Sequence, residues 1–185
     1  MRIATLIAAA FMFSGCTTAP SVPVRADSTN IGASIVTGFT PNNGLLSAEG
    51  VVLQAIGDSH KTIHLAAYSF TSEPVVEALI AAKRRGVDVE AVLDKSNLTA
   101  NYGGASLLVA KGIPTRINSA YAIMHDKFII IDGESVETGS FNYTKAAATR
   151  NAENVIYIRD NAEVAKTYEV EWQRLWDEAQ LYRAR

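Results

Sequence analysis

The sequence predicts an α/β domain in which a mixed β-sheet is flanked by helices on both faces. From residue 35 onward, short runs rich in β-branched residues alternate with segments of helical periodicity. The run 61–70, KTIHLAAYSF, is almost continuously apolar, as expected for a strand covered on both faces. The segment 161–180 has an apolar face of helical spacing that runs from Val164 to Ala179.

The remaining elements follow from local signals. Thr71 or Ser72 is a suitable N-cap for a helix over 71–86, with Pro74 in its first turn and Gly86 at its end. The same patterns predict further helices over 44–59 and 103–112. Further strands are predicted over 34–41, 87–94, 113–117, 127–132, 135–140 and 153–160.

The first 34 residues differ from the domain. Residues 1–15 contain one cation followed by an apolar run, the pattern of a secretory signal that takes the protein out of the cytoplasm. Cys16, the only cysteine, follows Ser14 and Gly15 as in a bacterial lipobox, which predicts lipidation and anchoring to the outer membrane from the periplasmic side. Cleavage after residues 24–26, VRA, is the alternative. Residues 16–34 are expected to form a flexible tether, and 35–185 the domain.

Composition narrows the classes of function. Hydrophobic residues make up 48% and charged residues 19% of the chain, which excludes a disordered protein. The formal net charge of −2 gives no global support for a nucleic-acid partner, so such a partner would need a local basic patch.

Residues 124–132, MHDKFIIID, carry the main chemical signal. Alternate residues of a strand share a face, so His125 and Lys127 can converge on one anion, whereas Asp126 and Asp132 point to the other side. Asp132 is therefore expected to fix the end of the strand or a neighbouring turn.

The next strand adds polar groups to this pair. Gly139 permits a close approach of backbone or ligand, and Ser140 and Asn142 can donate hydrogen bonds to an oxyanion. Imidazole is a nucleophile near pH 7, and lysine and amide donors stabilise charge on phosphoryl oxygens. The combination predicts a phosphate site.

The spacing from HDKFIIID to GSFN resembles the signature of the phospholipase D superfamily in every fixed position. Residues 67–89 and 136–155 also resemble the flanking segments of its small bacterial periplasmic endonucleases. The resemblance implies that His125 attacks phosphorus to form a phosphohistidine and that Lys127 and Asn142 bind the non-bridging oxygens. It places Ser140 as a neighbouring donor and Glu153 as the carboxylate that orients the imidazole. It implies no cofactor and no metal.

Other polar residues are weaker candidates. His60 and His64 lie about 13 Å apart along a strand, which is too far to clamp a metal ion. Lys145 and Arg150 follow Asn142 closely and are candidate contacts to nucleic-acid phosphates.

The motif specifies a phosphodiester and leaves the flanking groups of the substrate open. A DNA or RNA endonuclease is the first hypothesis, a hydrolase of phospholipid or cardiolipin the second, and an inactive nucleic-acid-binding module the third. The mechanism implied by the resemblance needs two histidines, and this chain has one motif. A homodimer with a composite active site is therefore expected.

Overall fold

The computed structural model describes residues 34–98 and 103–183, and within them eight strands form one sheet. The strands are β1 (Ile35–Thr40), β2 (Thr62–Ala67), β3 (Asp88–Asp94), β4 (Thr115–Asn118), β5 (Lys127–Ile131), β6 (Ser135–Gly139), β7 (Glu153–Ile158) and β8 (Gln180–Leu181). Their order is β1-β7-β6-β5-β2-β3-β4-β8, with β2, β3 and β4 parallel and the other pairs antiparallel. The predicted mixed sheet is confirmed.

Helices cover both faces, as predicted. They are α1 (Ala48–Gly57), α2 (Glu73–Arg84), α3 (Gly104–Ala110), α4 (Lys145–Thr149) and α5 (Ala162–Glu178), with a 3-10 helix over Lys95–Leu98. The first four pack on one face of the sheet, and α5 packs on the other with Trp172 and Leu175 buried. In the part of the chain that the structure describes, none of these helices is long and apolar enough to span a membrane.

The helices begin and end where capping side chains and glycine are placed. Ser72 accepts the N–H of Val75 at the start of α2, and Gly86 beyond its end has a φ of +95°, so both predicted signals are confirmed. Helix α1 begins later than predicted because Ser47 caps it by accepting the N–H of Gly50. Periodicity did not reveal α4, β8 or the 3-10 helix, because each is only two to five residues long.

The topology brings the motif residues to one end of the sheet. β1, β2, β3, β4 and β6 all finish at this end, and β5 and β7 begin there. We call it the motif end. Loops that are distant in sequence therefore meet around the start of β5.

Candidate active site

The motif histidine and lysine occupy different environments at the motif end. His125 is exposed just before β5, whereas Lys127 is the first residue of that strand and only 8% exposed. The Lys127 ammonium donates a hydrogen bond to the backbone oxygen of His125 at 2.5 Å. The imidazole and the ammonium are thus held within one short segment.

Tyr68, directly after β2, links both groups. Its ring centroid lies 4.7 Å from that of the His125 imidazole and 5.7 Å from the Lys127 ammonium. Its backbone N–H donates to the carbonyl of Asp126 at 3.0 Å. Sequence reasoning missed this residue, because an aromatic side chain in an apolar run is normally assigned to the core.

Burial makes the charged form of the Lys127 side chain less favourable. Desolvation lowers the pKa of Lys127, and the carboxylates of Asp126 and Glu153 partly offset this effect. A cation in a partly desolvated position interacts more strongly with an anion than an exposed one does. Lys127 is therefore suited to stabilise a phosphoryl oxygen.

Ser140 and Glu153 form a direct pair. The Ser140 hydroxyl donates to a Glu153 oxygen at 2.5 Å, and Asn151 Nδ2 donates to the other oxygen at 2.8 Å. No hydrogen bond joins Glu153 to His125 within the described part of the single chain. The Ser140 hydrogen also points at the carboxylate, so here it is not directed toward an oxyanion. The roles expected for both residues stay predictions.

Asn142 carries an unused acceptor. Its Oδ1 is buried and has no hydrogen-bond partner among the described residues. The loop is anchored by the next residue, because the carbonyl of Tyr143 accepts the N–H groups of Thr71 and Ser72 at 2.8 Å each. This anchoring ties the loop that carries Asn142 to the start of α2.

A buried glutamate beneath this loop was not anticipated. Glu137 is fully buried on β6, and its Oε2 accepts the Tyr143 hydroxyl at 2.8 Å. Burial raises the pKa of Glu137 to about 8. The surrounding residues 135–140, SVETGS, predicted a strand and no more. Nothing in the sequence indicates that the Glu137 carboxyl is neutral at pH 7.

The two motif aspartates lie in different places: Asp126 is close enough to Lys127 to act on its charge, whereas Asp132 lies at the other end of the strand. Asp126 lies near α5, and burial together with the charge of Glu171 raises its pKa. Asp132 lies at the far end of β5, where it accepts backbone N–H groups from residues 60, 61 and 62. Burial acts to raise the pKa of Asp132, but these donors outweigh burial and lower it. The carboxylate thus fixes a turn, in agreement with the expectation.

The close approach expected at Gly139 involves backbone. A Cβ added there would lie 2.2 Å from the carbonyl oxygen of Asn154 on β7. Only glycine allows β6 and β7 to pair this closely beside the motif.

The remaining candidates are distributed around the molecule. His60 lies beside Asp132 at the far end, and His64 stacks on Trp172 at 4.0 Å and contacts Glu169. No group of three His, Cys, Asp or Glu side chains suited to a metal ion occurs in residues 34–98 and 103–183.

Cys16, like the whole predicted signal and tether up to residue 33, lies outside the described residues.

The two candidate phosphate-binding cations are both exposed at the motif end. Lys145 and Arg150 make no salt bridge to any described residue. Lys145 lines a cavity together with Glu49 and Glu73. Arg150 follows α4, three residues before Glu153.

Comparison with known proteins agrees with the motif geometry. Residues 52–176 match the family model described as "Cardiolipin synthase, PLD-like domain". The chain is 39% identical to a phospholipase D of Rickettsia bellii over 140 residues, which are 76% of this chain and 68% of that one. It is 32% identical to the mitochondrial cardiolipin hydrolase of Xenopus laevis over 128 residues, covering 69% of this chain and 60% of that enzyme.

Solved structures share the fold. The phospholipase D family member Nuc from Salmonella typhimurium superposes with a TM-score of 0.78 at 40% identity, covering 82% of this chain and 99% of that one. NucT from Helicobacter pylori superposes with a TM-score of 0.72 at 20% identity, covering 81% and 99%, and shows the fold alone.

The fold and the motif thus define a phosphodiester hydrolase of the phospholipase D type. The chain belongs to the phospholipase D superfamily, and the predicted resemblance is confirmed.

Proposed function

We propose that this protein is a nucleic-acid endonuclease with little sequence preference, acting through a phosphohistidine. The main support is the character of the two cavities that flank the motif, one beside Lys127 and α5, the other beside Glu153 and β1. Threonine, asparagine and acidic side chains contribute to their walls. Apolar side chains such as Phe128, Phe39 and Leu45 are interspersed with these polar ones, so an acyl chain bound here would cover polar groups without pairing them. The match to 99% of Nuc is further support.

The chemistry proceeds in two steps. An imidazole nitrogen of His125 attacks phosphorus; the N–P bond forms and the P–O bond to the leaving sugar breaks. A second imidazolium donates its proton to the leaving alkoxide. Water then attacks phosphorus, the N–P bond breaks, and the second imidazole takes the proton from water. Lys127 and the Asn142 amide stabilise the charge on the non-bridging oxygens.

The second imidazole comes from a second copy of this chain. The sequence has three histidines, and His60 and His64 lie away from the motif end. A two-fold axis near His125 would bring two identical motifs onto one phosphate. We therefore include a homodimer with one composite site in the proposal.

The direct test compares purified protein on plasmid DNA, on RNA and on vesicles containing phosphatidylglycerol and cardiolipin. Cleavage of nucleic acid is expected, undiminished by EDTA, because histidine and lysine carry the chemistry. The His125→Ala variant, purified in the same way, controls for contaminating nucleases. Intact nucleic acid alongside hydrolysed lipid would refute the endonuclease. Loss of activity in EDTA with recovery on adding magnesium would refute the metal-independent mechanism.

Phospholipid is the second candidate substrate. Leu45 and Leu46 are 61% and 56% exposed in the loop after β1, where they could contact a lipid surface, and Leu45 lines the same cavity as Glu153. The relatives named phospholipase D and cardiolipin hydrolase also favour it. Turnover of either substrate would exclude the inactive binding module.

We also propose that the protein acts in the periplasm, anchored through lipidated Cys16. Fractionation of cells expressing the full chain tests this: the wild type is expected in the membrane fraction and Cys16→Ser in the soluble periplasmic fraction. Equal distributions would favour cleavage after residues 24–26.

A further inference from the structure

A cavity of about 470 Å³ adjoins the catalytic residues on the side of β1. Ser140 and Glu153 line it together with residues of β1 and the loop that follows, among them Phe39, Pro41, Asn42 and Leu45. Its volume lies in the range of about 300–1,000 Å³ that is usual for ligand sites. The chemistry above does not use this space.

Strand register aligns the cavity with the reacting centre. Asn154 of β7 pairs with Phe39 of β1, and the N–H of Ser140 donates to the carbonyl of Asn154 at 3.1 Å. Neighbouring strands lie about 4.8 Å apart, so Phe39 is two strands, or roughly 10 Å, from Ser140. A group attached directly to the phosphate can therefore reach the ring.

The lining indicates what kind of group fits. Phe39 is 39% exposed and contributes an aromatic ring to the lining, and Asn42 and Asn43 contribute amide groups. Among the residues that line the cavity, Glu153 carries the only charge, and its negative charge disfavours a second phosphate. An acyl chain would cover the amides without pairing them. A neutral planar group with hydrogen-bonding edges meets every one of these conditions.

We infer that this cavity is a nucleobase subsite for the nucleotide next to the scissile phosphate, with Phe39 as its stacking platform. This inference rests on the proposed endonuclease function. Base–aromatic stacking tolerates any sequence, because every base has a π-face. The subsite therefore provides affinity for nucleic acid without sequence preference, in a chain with no positive net charge.

The test uses the full-length protein and end-labelled single strands in which chosen residues are abasic tetrahydrofuran analogues. The backbone charge is then constant, and only the base is missing. Wild type should cleave base-flanked phosphates roughly tenfold faster than abasic-flanked ones, the size expected for one stacked base. Phe39→Ala should lower the base-flanked rate to the abasic rate.

Ile35→Ala is the matched control. Ile35 lies on the same strand and the same face as Phe39, is 62% exposed, and pairs with Ile158 four residues from the Asn154 pair. It should keep the full base preference. Thermal melting of each variant reports folding, and Phe39→Leu replaces Phe39→Ala if the latter unfolds, because leucine retains apolar bulk without an aromatic face.

Two results would overturn the inference while the endonuclease stands: equal cleavage at base-flanked and abasic-flanked phosphates by wild type, or a preference that survives in Phe39→Ala and Phe39→Leu. A change in oligomeric state with equal loss at both kinds of phosphate would instead identify Phe39 as a subunit contact. If wild type cleaves no strand but hydrolyses vesicles, the endonuclease and the subsite are both wrong.

Discussion

His125 and Lys127 are only two residues apart, yet they differ in how they are held. The imidazole is exposed and rests against the ring of Tyr68, while the lysine is 8% exposed at the start of β5. Replacing the histidine is therefore expected to remove the proposed nucleophile without opening the core. Replacing the lysine removes both a charge and part of the packing around the strand.

We expect His125→Ala to reduce turnover below about a thousandth of the wild-type rate, since the nucleophile is lost. The melting temperature should stay close to that of wild type because the side chain is exposed. His60→Ala is the matched control: its side chain is exposed at the far end of the sheet and should leave the rate unchanged. A His125→Ala enzyme with full turnover would remove the proposed nucleophile.

At the scale of elements, β6 and the loop after it carry most of the site. The strand contains buried Glu137, ends in Gly139, and leads into the loop that holds Ser140 and Asn142. This segment must pair with β7 and dock on α2 at the same time. Its tolerance to substitution should therefore be low.

Gly139→Ala should destabilise the fold by about 2 kcal/mol, as overpacked sites do, because the new methyl would meet the Asn154 carbonyl oxygen. Gly57→Ala, where an added Cβ meets nothing within 4 Å, is the control and should have no such cost. Urea unfolding measures both. Equal midpoints for the two variants would show that β7 can move away at little cost.

Glu137→Gln should stabilise the protein increasingly as pH rises. The carboxyl ionises above about 4.5 in the unfolded chain and above about 8 in the folded one. Between these values unfolding releases a proton, so the free energy of unfolding of wild type falls with rising pH. Glutamine can still accept the Tyr143 hydrogen bond and needs no proton to be buried in neutral form.

Urea titrations from pH 4.5 to pH 8 test this expectation. The stability difference between Glu137→Gln and wild type should be small at pH 4.5 and largest at pH 8. Glu134 is an exposed carboxyl on the same hairpin, and Glu134→Gln is the control. Its free energy of unfolding should fall with rising pH as steeply as that of wild type. Parallel curves for Glu137→Gln and wild type would mean that Glu137 is already ionised in the folded protein.

At the scale of the whole molecule, the proposed composite site makes activity depend on pairs of chains. Differently tagged wild-type and His125→Ala chains are co-expressed, and the mixed dimer is isolated by sequential affinity steps. It should be nearly inactive, because its single site lacks either the nucleophile or the acid. A mixed dimer with half the wild-type rate would mean that each chain holds a complete site.

The sequence by itself determined what depends on neighbours along the chain. The apolar patterns of β2, α2 and α5 were readable because strand and helix periodicities are local. Signals at Ser72 and Gly86 identified the ends of α2 for the same reason. The joint spacing of His125, Lys127 and Asp132 with the GSFN segment was enough to identify the family.

Tertiary structure decided everything that depends on strand register and burial. Tyr68 meets His125 only because β2 pairs with β5, and Phe39 meets Asn154 across 115 residues of sequence. The two-residue alternation of a β-strand predicts which face of the sheet a side chain lies on, but not which strand lies beside it. The neutral Glu137 likewise requires knowledge of how deeply β6 is covered, because desolvation is a property of the packed molecule and not of the chain.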